Sequence, residues 1–232
     1  VSVKPPEGLR TTSDPVEGAT TIVLVRHGQG NCNVSGKIGG PIGCTGLTEL
    51  GAGQVSDLAR RLEKTRELEQ TSALYASVLP RAIETAELLA SALDIDRSAI
   101  EKDCELCELH PGEGDGLIWE EFVERFGAKD WDLDPSLAFA PRGESWLTFV
   151  DRATRAIERI AQRHKGERVV IATHAGVIEA SMLQWVRSTI QPFDGNRLRL
   201  PTKHASITEW EYANGSWRLV RYNDAAHAAS TA

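Results

Sequence analysis

The chain has 232 residues, 41% hydrophobic and 25% charged, the balance of an ordinary globular domain with one sizeable core. A formal net charge of -7 with no Lys/Arg-rich block argues against a nucleic-acid partner, and no apolar run approaches the ~20 residues that span a bilayer. Four cysteines, Cys32, Cys44, Cys104 and Cys107, are too few for a disulfide scaffold, which points to a cytoplasmic protein.

Residues 1–20 hold three prolines and two glycines without a basic start or an apolar stretch, and read as a flexible tail rather than a signal peptide. Residues 21–25 are a β-branched apolar run, as in a parallel strand buried on both faces, and a glycine-containing loop follows. Helical spacing over 48–68 opens at Thr48. A short strand at 73–76 leads into a helix over 80–93 with Pro80 at its opening, where the missing N–H costs nothing. A third strand is expected around 100–108. Residues 109–142 then lose periodicity except for a short helical piece near Trp119–Phe126, and read as an insertion covering a site. Helical spacing returns over 145–164, followed by a buried strand at Arg168–Thr173 and a helix over 176–187. Finally, 206–212 and 216–222 flank Asn214-Gly215, a hairpin signal because both turn positions tolerate positive φ.

The order predicts an α/β fold: a three-layer αβα sandwich on a mostly parallel open sheet with an antiparallel edge. One domain over 21–225 would carry the lid insertion 109–142 after the third strand, and 226–232 would be a C-terminal tail.

Two histidines take equivalent places, His27 after the first strand and His174 after Arg168–Thr173. Ligands of open α/β sheets bind beyond the carboxyl ends of strands, so the two side chains are expected to converge on one pocket, unless each is a buried histidine bonded to backbone. Arg26 at the end of a buried strand has no structural use without an anion to pair with, and Arg81 offers a second planar fork for phosphate oxygens.

Leu24-Val25-Arg26-His27-Gly28 resembles the signature of the histidine phosphatase superfamily, also called the phosphoglycerate-mutase-like family. The resemblance continues in order through Asn33, Leu47-Thr48-Glu49-Leu50-Gly51, Ser77-Val78-Leu79-Pro80-Arg81-Ala82-Ile83-Glu84-Thr85-Ala86, Leu106-Cys107-Glu108, Gly143-Glu144-Ser145 and Thr173-His174-Ala175-Gly176. It implies that His27 is the nucleophile of a phosphohistidine mechanism. Arg26, Arg81, protonated His174 and Asn33 would surround the phosphoryl oxygens, and Glu108 would protonate the leaving alkoxide and then activate water. No metal or other cofactor is implied; the partners are a small-molecule phosphate ester and, as product, inorganic phosphate.

The chain departs from the family pattern in places. Gly28-Gln29-Gly30 lacks the usual Glu-Thr or Glu-Ser pair, so phosphate contacts are expected from the backbone of Gln29 and Gly30, with Ala175 lining the pocket. Cys44-Thr45-Gly46 replaces Asp-x-Pro, and His204 stands where the family has Asn. Mutases of the family carry a Tyr three residues after the catalytic Glu and an arginine pair in the insertion; here Pro111 takes the Tyr position. Between Leu109 and Asp134 eight acids face two cations, Arg125 and Lys129. If they face the pocket, the substrate has one phosphate and a neutral or cationic remainder; otherwise they form a solvated outer face. Trp119, Trp131 and Trp146 either stack on a ring or pack the lid. Cys104 and Cys107, three apart on a strand, would face opposite sides and could share a zinc only if the strand breaks, so incidental thiols are expected.

A phosphatase is the first reading. A phosphoglycerate-mutase activity and a non-catalytic phosphate- or phosphoprotein-binding module are the alternatives. A nucleotide-binding domain fails for want of a third glycine in the loop after Val25. Oligomeric state stays open.

Overall fold

The structure, a computed structural model, describes residues 16–186 and 200–231. Six strands form one sheet: β1 (Thr20–Arg26), β2 (Thr71–Ala76), β3 (Glu101–Lys102), β4 (Arg168–Thr173), β5 (Ile207–Ala213) and β6 (Ser216–Asp224), in the order β3-β2-β4-β1-β5-β6. β1 to β4 run parallel, and β5 and β6 add an antiparallel edge. Burial on both faces follows from the β-branched runs. Val23, Val25, Val170 and Ala172 pack to one side, and Ile22, Leu24, Val169 and Ile171 to the other.

Helices α1 (Asn31–Ser35), α2 (Glu49–Thr65), α3 (Pro80–Leu89), α4 (Trp119–Phe126), α5 (Trp146–Arg163) and α6 (Ala175–Trp185) complete the chain. α2 and α3 cover the first face and α5 and α6 the second, which makes the expected three layers. α2 starts where its sequence says, because the Thr48 hydroxyl accepts the Gly51 N–H at 2.9 Å. α5 opens on a capping box between Ser145 and Thr148. Asn214 and Gly215 take φ of 51° and 76°, the turn their pairing predicts.

Three expectations need correction. The third strand is two residues long. Asp103 Oδ1 accepts the Glu105 N–H at 2.8 Å and turns the chain into a 3-10 helix over Cys104–Leu106 that drives Leu106 into the core. The helix expected over 80–93 ends at Leu89 and continues as a 3-10 turn over Ser91–Leu93. At the C-terminus, where a tail is expected, Ala226–Thr231 forms a 3-10 helix with His227 buried. Asp224 accepts its Ala226 N–H and is gripped by Arg61 of α2. Residues 1–15, most of the expected N-terminal tail, lie outside the described residues, as does Arg187 at the end of the expected last helix.

Candidate active site

The register of β1 on β4 pairs Arg26 with Thr173, so the next residues, His27 and His174, leave the sheet side by side. His27 N–H donates to the Thr173 carbonyl at 2.9 Å, and the two ring centroids lie 5.1 Å apart. Gly28 is obligatory here, since a Cβ would stand 2.3 Å from the Gly51 carbonyl of α2. His27 Nδ1–H donates to the Gly28 carbonyl at 2.6 Å, and its Nε2 accepts from Arg81 Nε at 3.0 Å. Both bonds demand the same tautomer, with the lone pair on Nε2. Burial first, then Arg81, holds the imidazole well below its ordinary pKa of 6.5.

Arg81, near the start of α3, also donates to the Gly39 carbonyl at 2.7 Å. Arg26 is braced from β5's side of the sheet by the Thr202 carbonyl and by His204 Nε2 at 2.9 Å, leaving its buried Nε without a partner. Burial and Arg26 push His204 down to about 4, so it accepts from Arg26 as a neutral ring. The departure from Asn is thereby accommodated. His174 Nε2 is bonded to Ser77 Oγ at 2.8 Å, while its Nδ1 is buried and unpartnered. A cluster of cationic donors with two buried nitrogens unspent is what an anion site requires.

Burial, then Arg81 and His27, lower the pKa of His174 well below 6.5, so without an anion the ring, expected to be protonated around a phosphoryl group, is neutral. In the unfolded chain both histidines titrate normally; as pH falls below 6.5 that chain takes up protons the folded one refuses, so stability drops by about 1.4 kcal/mol per pH unit for each. Above 6.5 they contribute no slope. Thermal unfolding without phosphate should therefore show a Tm that is level above this value and falls between it and about pH 5.5, where carboxylates still hold their charge. A Tm that rose over that interval would contradict the neutral-histidine picture.

Glu108 also lines the cleft. Its carboxylate accepts the Leu109 N–H at 3.1 Å and the Gly176 N–H at 3.0 Å, at the start of α6. A Cβ at Gly176 would fall 2.0 Å from Glu108 Oε1, which explains the glycine of the Thr173-His174-Ala175-Gly176 motif. The Glu108 loop is clamped by Arg152 of α5, which binds both Glu144 oxygens at 2.6 and 2.7 Å and donates to the carbonyls of Glu105, Cys107 and Glu108. Nothing in the sequence singled out Arg152. Arg152→Leu should lower kcat by about 10- to 100-fold while KM moves little, because a small displacement of the proton donor affects the chemical step more than binding. Steady-state kinetics tests this, and a change confined to KM would reject it.

These residues converge on a cleft of about 700 Å³. Arg26, His27, Asn33, Arg81, Glu108 and Ala175 line it, with His174 buried beside His27. Gln29 and Gly30 do not join them. The Gln29 N–H donates to Gln54 and the Gly30 N–H to Asn33, both at 2.9 Å, and the Gln29 side chain accepts from Thr48, so the backbone contacts expected from this loop are already spent on α1 and α2. None of the eight lid acids lines the cleft. Asp115 caps the N–H groups of Ile42 and Gly43, and Asp130 and Asp134 cap turns, so the argument from lid charge to substrate does not hold. The lid instead presents Trp131 and Phe139, stacked at 5.1 Å, and Trp146 joins them. Trp119 packs on Phe122 within the lid. Sequence reasoning also missed Lys37 and Glu179 on the cleft walls, for which no local pattern gave a signal.

The family model for the histidine phosphatase superfamily (branch 1) matches residues 22–225. The chain belongs to that superfamily. It is a phosphoric monoester hydrolase of the histidine phosphatase type. Among its relatives, a metal-independent phosphoserine phosphatase of Arabidopsis thaliana is 34% identical over 91% of this chain and 84% of its own length. A phosphoglycerate mutase-like protein 4 of the same organism is 30% identical over 97% of this chain and 94% of its own. Among solved structures, Bacillus stearothermophilus YhfR superposes with a TM-score of 0.75 at 30% identity, covering 90% of this histidine phosphatase and 99% of its own chain. No helix among the described residues is long and apolar enough to cross a membrane.

Proposed function

We propose that this chain hydrolyses a small amino-bearing phosphate monoester, phosphoserine foremost, through a phosphohistidine on His27. The pair of bonds that puts a lone pair on His27 Nε2 carries the mechanism. On substrate binding, Arg81 turns its N–H groups to the phosphoryl oxygens and frees that lone pair to attack phosphorus. As the N–P bond forms the ester P–O bond breaks, and the Glu108 carboxyl gives its proton to the departing alkoxide. Glu108 then takes a proton from water, which attacks phosphorus and returns the electron pair to Nε2. Arg26, Arg81 and His174 balance the charge on the phosphoryl group, the task a metal performs elsewhere. The dianion supplies the negative charge that His174 lacks in the empty cleft, so the ring binds as an imidazolium with Nδ1–H directed at phosphate.

The substrate reading is supported by the phosphoserine phosphatase relative and by the cleft itself. Lys37 and Glu179 put one charge of each sign on its walls, suited to the two ends of an amino acid. Mutase activity, which the 30% identical relative's name brings forward, is disfavoured by Pro111, which lines the cleft where mutases of the family place Tyr. Initial rates in excess chelator on phosphoserine, 3-phosphoglycerate and an aryl phosphate test both readings. We expect kcat/KM on phosphoserine at least about tenfold above 3-phosphoglycerate, about 1.4 kcal/mol of discrimination. Preference for phosphoglycerate, or formation of an isomerised phosphoglycerate, would overturn the substrate assignment.

A further inference from the structure

The break in the third strand brings together groups that a continuous strand would separate. Because Cys104–Leu106 is a 3-10 turn, Cys104 Sγ and Cys107 Sγ lie 3.8 Å apart, and His110 Nε2 is 3.7 Å from Cys104 Sγ. All three ligand atoms fall within 4.8 Å of one another. A tetrahedral cation with zinc's bond lengths, about 2.3 Å to sulfur and about 2.0 Å to imidazole, separates two sulfurs by about 3.8 Å and sulfur from nitrogen by about 3.5 Å. The two measured edges match that figure before any cation is placed.

We propose that Cys104, Cys107 and His110 bind one thiophilic divalent cation, zinc first, at a structural site on the outer side of the loop that carries Glu108. The surroundings are those of a metal-binding histidine. His110 Nδ1, the nitrogen away from the sulfurs, faces Glu144 Oε2 at 3.7 Å, and Glu144 is itself fixed by Arg152 and by the His110 N–H at 2.9 Å. Cys104 is exposed and Cys107 buried, so the cation reaches the site from solvent. Two sulfurs and an imidazole select zinc over magnesium or calcium, which require oxygen ligands. The Cys107 sulfur also accepts from Ser77 Oγ at 3.2 Å, and Ser77 is the partner of His174, so the site braces the wall behind both Glu108 and His174. It lies outside the phosphate-binding cleft and takes no part in phosphoryl transfer, so it stands or falls independently of the proposed substrate.

The test is metal stoichiometry on the full chain, reduced with a phosphine, stripped, loaded with zinc and desalted, then analysed by mass spectrometry. We expect one equivalent in the wild type and in Cys44→Ser, and less than about a tenth of an equivalent in Cys104→Ser, an exposed substitution that leaves the fold intact. Cobalt loading should give thiolate-to-cobalt charge-transfer absorption, lowered in Cys104→Ser and shifted in His110→Ala. Zinc retained equally by Cys104→Ser, or no zinc retained by the reduced wild type, would overturn the site, and neither readout depends on catalytic activity.

Discussion

Replacing His27 with alanine should lower kcat by on the order of 10⁴-fold or more, the loss seen when a nucleophile acting in concert with its partners is removed. The size follows from what remains. Arg26, Arg81 and His174 would still bind a phosphoryl group, so the variant should retain affinity for the ester while losing the atom that attacks phosphorus. KM should therefore change much less than kcat. Burial adds a second consideration, because His27 is only 3% exposed and its loss leaves a void and strands Arg81 Nε without an acceptor. His27→Asn, which keeps an acceptor near Arg81, serves as the companion variant and should be equally inactive if nucleophilicity is what is lost. A denaturing quench of wild type at alkaline pH during turnover should trap a phosphate on a peptide containing His27 that is stable to base and released by acid. Either variant retaining more than about a hundredth of wild-type kcat would remove His27 from the nucleophile's place.

Much of this site was legible from the sequence, for physical reasons that differ from residue to residue. Apolar β-branched runs located β1 and β4, and the rule that ligands gather beyond strand ends placed His27 and His174 together. Arg26 is readable because a buried cation is costly without an anion, and Arg81 because a planar fork near the start of a helix suits phosphate oxygens. Periodicity failed where a single side chain redirects the backbone. Asp103, by accepting one N–H, converts an expected strand into a 3-10 turn, and with it the relation between Cys104 and Cys107. Gln29 and Gly30 stand apart from the cleft because Gln54 of α2, 25 positions on, claims the Gln29 N–H, and Asn33 of α1, three positions on, claims that of Gly30. The acidic lid illustrates the limit of charge counting. Net charge says nothing of facing, and Asp115, Asp130 and Asp134 cap turns and loops while Trp131 and Phe139 of the same segment meet the cleft. Arg152 carries no local signal, since the carbonyls it binds belong to residues more than 40 positions away.

Glu108→Gln discriminates the proton-transfer step from binding, because its effect should depend on the leaving group. Glutamine preserves the shape and can still accept through its carbonyl oxygen, so the bonds from Leu109 and Gly176 need not both be lost. What it lacks is a proton to give. An alkoxide such as that of serine leaves phosphorus poorly unless protonated, and for such an ester kcat should fall by about 10²- to 10⁴-fold, the usual weight of a positioned general acid. An aryl phosphate with an acidic phenol leaves without help, so the attack of His27 should proceed nearly as in the wild type. If water attack on the phosphohistidine then becomes limiting, the aryl substrate should show a burst of one equivalent of phenol followed by slow turnover, since Glu108 is also the base for that second step. Rapid-mixing kinetics with the two esters reads both effects at once. Equal losses on both, without a burst, would mean that Glu108 orders the wall of the cleft instead of moving a proton. The burst would place it in both half-reactions, which its position in the same cleft as His27 allows.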